Sequence, residues 1–217
     1  MKYKAVLFDF DGTLIDSSPG ILDCAKQTII EMGAFMPDDE TIKKFIGPPL
    51  SVSFINICKM NETDAKIAVE KYREKYRATG MYEAEIYDGI KELLIELCDA
   101  GVVCAIASVK QEVIVRETIL HFGLAKYFAA ICGTSKGKPF SSKIEIVNDA
   151  LERTNTRAED AIMIGDSEYD AVGAQGANVD FCAAMWGFGF DGIQALSPFR
   201  CRYIAQDVES LKKFLCE

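Results

Sequence analysis

Histidine and tryptophan are each present once in this 217-residue chain, as His121 and Trp186. His121 precedes Phe122-Gly123-Leu124 and reads as the end of a helix, so it is not expected to serve as a catalytic base. Long apolar runs are missing too. No segment approaches the roughly 20 apolar residues that a membrane-spanning helix requires. The apolar stretch over 5–8 is too short for a signal peptide and runs straight into Asp9, so no leader is expected. Basic residues are outnumbered 24 to 33 by acidic ones, giving a formal net charge of −9. An acidic surface of this kind repels nucleic acid and anionic lipid, and neither is expected as a partner. A phosphate ester would be repelled as well unless a metal ion and local cations overcome that field. The eight cysteines include no C-x-x-C pair. Their scatter through apolar runs fits reduced core thiols in a cytoplasmic protein better than a disulfide framework. There is no internal repeat and no low-complexity segment.

What is present is an ordinary globular composition, 49% hydrophobic and 26% charged, long enough for one full domain and a small insert. Residues 5–10 read as a short buried strand stopped by Asp11-Gly12. From about Ser18 to Thr79 apolar residues recur at helical spacing, punctuated by Gly33, Pro37, Gly47-Pro48-Pro49 and Gly80, which predicts several short helices. The rhythm then changes. Ile90, Leu93, Leu94 and Leu97 form a helical stripe that Gly101 ends. Strands are expected over 102–107, 129–132, 161–164, 179–183 and 203–205. The helices between them are expected over 112–121, around Ile144, Val147 and Leu151, and over 208–215. Alternating strands and helices imply βαβ units. The expected fold is therefore α/β: a Rossmann-like parallel sheet with helices on both faces, and a small all-helical cap inserted after the first strand. Residues 1–15 and 82–217 are assigned to the core and 16–81 to the cap.

In such a sheet ligands bind beyond the carboxyl ends of the strands. Three expected strands end there in polar residues: Asp9 and Asp11, then Ser108, then Asp166. Asp9, Asp11 and Asp166 together make a hard oxygen cage that suits Mg²⁺. A cation would keep Asp9 ionised as a nucleophile, and Asp11 could protonate a leaving oxygen and later activate water. Ser108 could donate to a phosphate oxygen, and the following helix could add backbone N–H groups and its positive end. Each piece has a plain structural reading by itself, since Asp-x-Asp-Gly and Gly-Asp are common turns and a serine after a strand is often a helix cap. The functional reading rests on the ordered set.

That set resembles the haloacid dehalogenase-like hydrolases. Phe8-Asp9-Phe10-Asp11-Gly12-Thr13-Leu14 is similar to the family's first motif, Ala107-Ser108-Val109-Lys110 to its second, and Gly165-Asp166-Ser167-Glu168-Tyr169-Asp170 to its fourth. The resemblance covers nearly the whole chain. It implies that Asp9 is nucleophile and metal ligand, and that Asp11 is general acid/base and binds metal through its backbone carbonyl. It also implies that Ser108, Val109 and a lysine hold phosphate, and that Asp166 and Asp170 serve the metal. Lys136, Lys138 and Lys143 all lie in the region of the third motif; Lys143, at the start of a helical stripe, is the chosen one. The loop Phe45-Ile46-Gly47-Pro48-Pro49-Leu50 resembles a substrate-facing cap loop in phosphoglycolate phosphatase-like and bacterial 5′-nucleotidase-like members, which nominates Phe45, Gly47 and Pro48. Lys43, Lys44, Arg73 and Arg77 are candidates for a second anion, or simply solvate a helix face. Trp186-Gly187-Phe188-Gly189-Phe190 is read as a structural turn.

The expectation is a Mg²⁺-dependent phosphomonoester hydrolase, monomeric or homodimeric, acting on a small phosphorylated metabolite. A phosphomutase shares the nucleophile and acid/base, although Thr13 leans towards hydrolysis. A dehalogenase would leave Asp11, Asp166 and Asp170 without a role. A catalytically silent binding protein would be expected to lack at least one of these residues.

Overall fold

The computed structural model describes residues 2–135 and 142–216. The chain forms two compact units, Ser17–Glu85 and the pair of segments Met1–Asp16 with Ile86–Glu217. The first unit holds α1 (Ser18–Glu31), α2 (Asp39–Ile42), α3 (Leu50–Asn56) and α4 (Glu62–Ala78). Local chemistry sets two of their starts. The Asp38 carboxylate accepts from Thr41 N at 2.8 Å and the Asn61 side chain from Asp64 N at 2.9 Å, each satisfying a helix-terminal donor. Ala65, Ala68, Val69, Tyr72 and Tyr76 form the buried stripe of α4, at helical spacing.

The other unit is built on a six-stranded sheet of β1 (Ala5–Phe8), β4 (Val103–Gln111), β5 (Ala130–Thr134), β6 (Ala161–Gly165), β7 (Asp180–Ala184) and β8 (Tyr203–Ala205). A separate short sheet pairs β2 (Ile15–Asp16) with β3 (Glu85–Ile86). The large sheet runs β5-β4-β1-β6-β7-β8, and its pairings are parallel. In order of appearance along the chain that is third, second, first, fourth, fifth, sixth. The direction of winding reverses between β1 and β6, which is where an open α/β sheet leaves a crevice at its carboxyl edge.

The helices α5 (Ile90–Asp99), α6 (Glu112–His121), α7 (Lys143–Arg153), α8 (Glu168–Gly176) and α9 (Val208–Cys216) separate or follow these strands. Ala5 and Leu7 share one face with Ala105, Ala107, Met163 and Phe181, packed with Ile146, Val147 and Ala150 of α7 and Ala171 and Ala174 of α8. Their alternates Val6, Phe8, Ile106, Ile162 and Ile164 are buried as well. A strand buried on both faces must be apolar throughout, which explains the unbroken Ala5–Phe8 run. All eight cysteines are free thiols, five of them buried.

Candidate active site

Asp9 stands one residue past the end of β1. Its N–H donates to Ile164 O of β6 at 2.8 Å, so the parallel ladder holds its backbone. Two residues on from Leu7, its side chain continues the alternation towards the face that α7 and α8 cover. Those helices meet it there. Ser142 caps α7: its hydroxyl accepts from Glu145 N and its N–H donates to the Glu145 carboxylate, both at 3.2 Å. This capping box makes Lys143 the first helical residue. Its ammonium donates to Asp9 Oδ1 at 2.6 Å and lies 2.6 Å from Asp170 Oδ1. Lys143 is 6% exposed and Asp170 fully buried. Burial opposes the Lys143 charge, but Asp170 and Asp9 outweigh it and push its pKa up to about 12.

Asp170 is anchored separately. Its Oδ2 accepts from Ser167 N at 3.0 Å and Ser167 Oγ at 2.7 Å, at the start of α8. Close approach of α7 and α8 is what brings Lys143 in. A Cβ on Gly173 would stand 2.4 Å from Lys143 Cγ, so only glycine fits. Asp166 follows β6. Its Oδ2 accepts from Phe188 N at 2.8 Å and Gly189 N at 3.2 Å. Trp186 Nε1 of the same loop donates to Thr13 O at 3.1 Å, tying the loop to the first motif.

Carboxylate oxygens of Asp9, Asp166 and Asp170 lie within 4.8 Å of one another, and all three residues are buried. Burial is the main cause that raises the Asp9 pKa to about 6 and the Asp166 pKa to about 7, and neighbouring carboxylates add to both. With every group ionised, three carboxylates and one ammonium leave two negative charges in a buried site. An all-oxygen donor set carrying that residual charge fits a hard divalent cation such as Mg²⁺.

β4 supplies the next part. Ala107 pairs with Cys132 and Gln111 with Thr134, so four steps along β4 match two along β5. The bulge takes Ser108, Val109 and Lys110 out of the regular ladder. Ser108 is buried and its Oγ accepts from Lys110 N at 3.3 Å. Val109 is exposed, and its carbonyl accepts from Thr134 Oγ1 at 3.2 Å. Lys110 Nζ reaches back to both Asp11 oxygens, at 2.7 and 3.0 Å. Gly12, at φ +78°, makes the turn that follows Asp11.

A family model described as haloacid dehalogenase-like hydrolase matches residues 6–184. The chain belongs to this family. A protein named 5′-nucleotidase from Pseudomonas aeruginosa is 34% identical over 216 residues, covering 99% of this chain and 96% of that one. A phosphoglycolate phosphatase from Colwellia psychrerythraea is 28% identical over 210 residues, with 91% and 92% covered. The crystal structure of a predicted phosphatase from Clostridium acetobutylicum superposes with a TM-score of 0.87 at 38% identity, covering 100% of this chain and 99% of that one.

Of the residues expected in this hydrolase's site, Asp9, Lys143, Asp166 and Asp170 form one buried cluster, with Asp11 two residues from Asp9 and paired to Lys110. Lys136 and Lys138 lie outside the described residues. Phe45, Gly47 and Pro48 belong to the helical unit. Phe45 is buried with its ring edge-on to Phe54, centroids 5.1 Å apart, so its side chain is a packing residue of that unit rather than an open contact surface. Gly47 and Pro48 are exposed. Lys43 and Arg73 pair with Glu40 and Glu70, three residues back. Sequence reasoning missed two contributors. The loop read only as a turn holds Asp166 through its N–H groups, and Lys110 was given no role of its own although it closes the second motif.

Proposed function

We propose that this hydrolase is a Mg²⁺-dependent phosphatase that cleaves small phosphomonoesters through an aspartyl-phosphate on Asp9. The observation that carries the reading is the buried contact of Asp9 with Lys143 inside the acidic cluster. Asp9 attacks phosphorus while the bond from phosphorus to the leaving oxygen breaks. That oxygen takes a proton from Asp11. A water then gives a proton to Asp11 and attacks the phosphorus, and the bond to Asp9 breaks. Phosphate leaves, and the net change is addition of water across one ester bond. Lys143 and Ser108, with the backbone at Val109, would bind the phosphoryl oxygens. Asp9, Asp166, Asp170 and the Asp11 carbonyl would hold Mg²⁺, which supplies charge neutralisation when bound.

The substrate class is phosphoglycolate or nucleoside 5′-monophosphates. The relatives' names include both classes, and the Phe45–Leu50 loop together with the higher identity to the protein named 5′-nucleotidase supports the nucleotide side. In this reading residues 16–81 act as the cap of a core made of 1–15 and 82–217, with Phe45, Gly47 and Pro48 on the cap loop. The free thiols support a cytoplasmic setting, and no helix among the described residues is long and apolar enough to cross a membrane. Phosphate release should be measured over p-nitrophenyl phosphate, phosphoglycolate and the nucleoside 5′-monophosphates, with Mg²⁺ and with excess chelator. Release that needs Mg²⁺ and favours one of these metabolites is expected. A folded, metal-supplied protein that releases no phosphate from any of them would overturn the reading, and full activity in chelator would remove the metal.

A further inference from the structure

Among the described residues, Lys110 is the one cation of the site that the phosphate-binding set does not use. It sits in the β4 bulge with its N–H on Ser108 Oγ at 3.3 Å. Its side chain is 14% exposed and runs back towards the first motif, with Nζ 5.6 Å from the centroid of the Phe10 ring. The ammonium contacts Asp11 Oδ1 at 2.7 Å and Oδ2 at 3.0 Å. Two consequences follow. A carboxylate gripped by an ammonium is restricted in how it can turn, whereas a carboxylate at a loop turn is otherwise free to rotate about its side-chain bonds. The tether also starts at the strand end that presents Ser108, so the group that would handle the proton and a group that would hold the phosphate are positioned from one piece of backbone.

We propose that Lys110 is a positioning residue for Asp11, keeping one carboxylate oxygen on its ammonium while the other turns to the leaving oxygen. The inference rests on the acid/base reading of Asp11 given above. The proton balance is unchanged: Asp11 gives its proton to the departing alkoxide and regains one from the attacking water, and Lys110 stays protonated throughout. A group that acts through the acid matters most when the leaving group is poor. An alkoxide must be protonated as it departs, while p-nitrophenolate leaves readily without help.

The experiment compares kcat/KM, which reports the steps through transfer to Asp9, for p-nitrophenyl phosphate and for the best alkyl phosphate of the substrate panel. The variants are Asp11→Asn, Lys110→Met, Lys110→Arg and the Asp11→Asn/Lys110→Met double. Lys110→Met should lower kcat/KM for the alkyl ester by at least about 10-fold, a part of the 10²–10⁴ that acid–base catalysis supplies. The loss with p-nitrophenyl phosphate should be several-fold smaller. Lys110→Arg, which keeps the charge, should recover part of the loss. In the Asp11→Asn background Lys110→Met should add little, because its partner is already disabled. Equal losses on both esters that multiply in the double variant would overturn the proposal and make Lys110 a direct phosphate ligand. Unchanged alkyl-ester kinetics in Lys110→Met would overturn it too. If Asp11→Asn itself leaves alkyl-ester cleavage intact, the acid/base assignment is what fails, and a wild type that cleaves neither ester rejects the phosphatase reading.

Discussion

Replacing Lys143 by methionine tests the electrostatic construction of the site directly. The ammonium is 6% exposed and stands 2.6 Å from one oxygen of Asp9 and 2.6 Å from one of Asp170. Methionine fills much of the space and removes the charge. What remains is a buried carboxylate cluster with no cation, and stripping one partner from a buried ion pair costs about 3–5 kcal/mol. For a chain of this size each kcal/mol moves Tm by about 2–4 °C, so a loss of about 6–20 °C is expected without metal at pH 8. The cost should depend on pH in a stated direction. Asp9 and Asp166 titrate near 6 and 7 in the folded protein against 3.8 for a free side chain. A carboxyl whose folded pKa is raised contributes stability that is fully present below about pH 4 and is lost as pH rises through 6 and 7. At pH 5 these groups are largely neutral and need little help from the ammonium; at pH 8 they are ionised and need it. Lys143 itself stays charged across that range, its pKa raised to about 12. Thermal or urea unfolding of wild type and Lys143→Met in chelator, at pH 5 and pH 8, gives the result. A cost below about 1 kcal/mol at pH 8, or the same cost at both pH values, would refute the reasoning.

Asp9→Asn should abolish turnover with little change in Tm: a neutral amide cannot attack phosphorus, while Lys143 keeps Asp170 as its ion-pair partner and the cluster loses one repelling carboxylate; near-normal rates would remove Asp9 as nucleophile. Gly173→Ala should lower both Tm and activity although alanine favours a helix by about 0.8–1.0 kcal/mol, because the new Cβ would press on Lys143 Cγ at 2.4 Å; a stabilised, fully active variant would show that α7 and α8 can part at no cost.

The sheet was legible where burial is two-sided. The apolar run that ends in Asp9 can only be a central strand, and α6 occupies the expected 112–121. β4 was expected to stop at residue 107 but continues to Gln111. The polar stretch Ser108–Gln111 hides a strand that survives because a bulge lets it rejoin β5 at Thr134. The same bulge is why Lys110 could not be assigned from sequence. Spacing along a strand says which face a residue takes only while the ladder is regular. The hold of the 186–189 loop on Asp166 was equally hidden. It uses backbone N–H groups 22 and 23 residues away, and a backbone donor leaves no mark in residue identity. The packing of Phe45 was hidden as well: its loop resembles a substrate-facing one, and residue identity did not show that its ring packs on Phe54.

The acidic composition raises one question that the site geometry answers. A chain of formal charge −9 should repel a phosphate ester, yet the proposed function requires the site to receive one. At physiological ionic strength the Debye length is about 8 Å, so exposed charges farther off than this are largely screened. A pair of unit charges 4 Å apart at an effective dielectric of 20 still interacts by about 4 kcal/mol. Lys143 and Lys110 stand at contact distance from Asp9 and Asp11, inside the screening length and mostly out of water. The buried carboxylates carry the opposite sign, and each is held by a different support: Asp9 by the β6 ladder and Lys143, Asp166 by the loop N–H groups, Asp170 by the cap of α8. None of these supports is a second mobile carboxylate partner, so the acids are not free to move apart to relieve their repulsion. The surface charge therefore governs encounter and solubility, while in the proposed function phosphate binding would rest on Lys143 and a divalent cation held at the switch between β1 and β6, with Lys110 on Asp11.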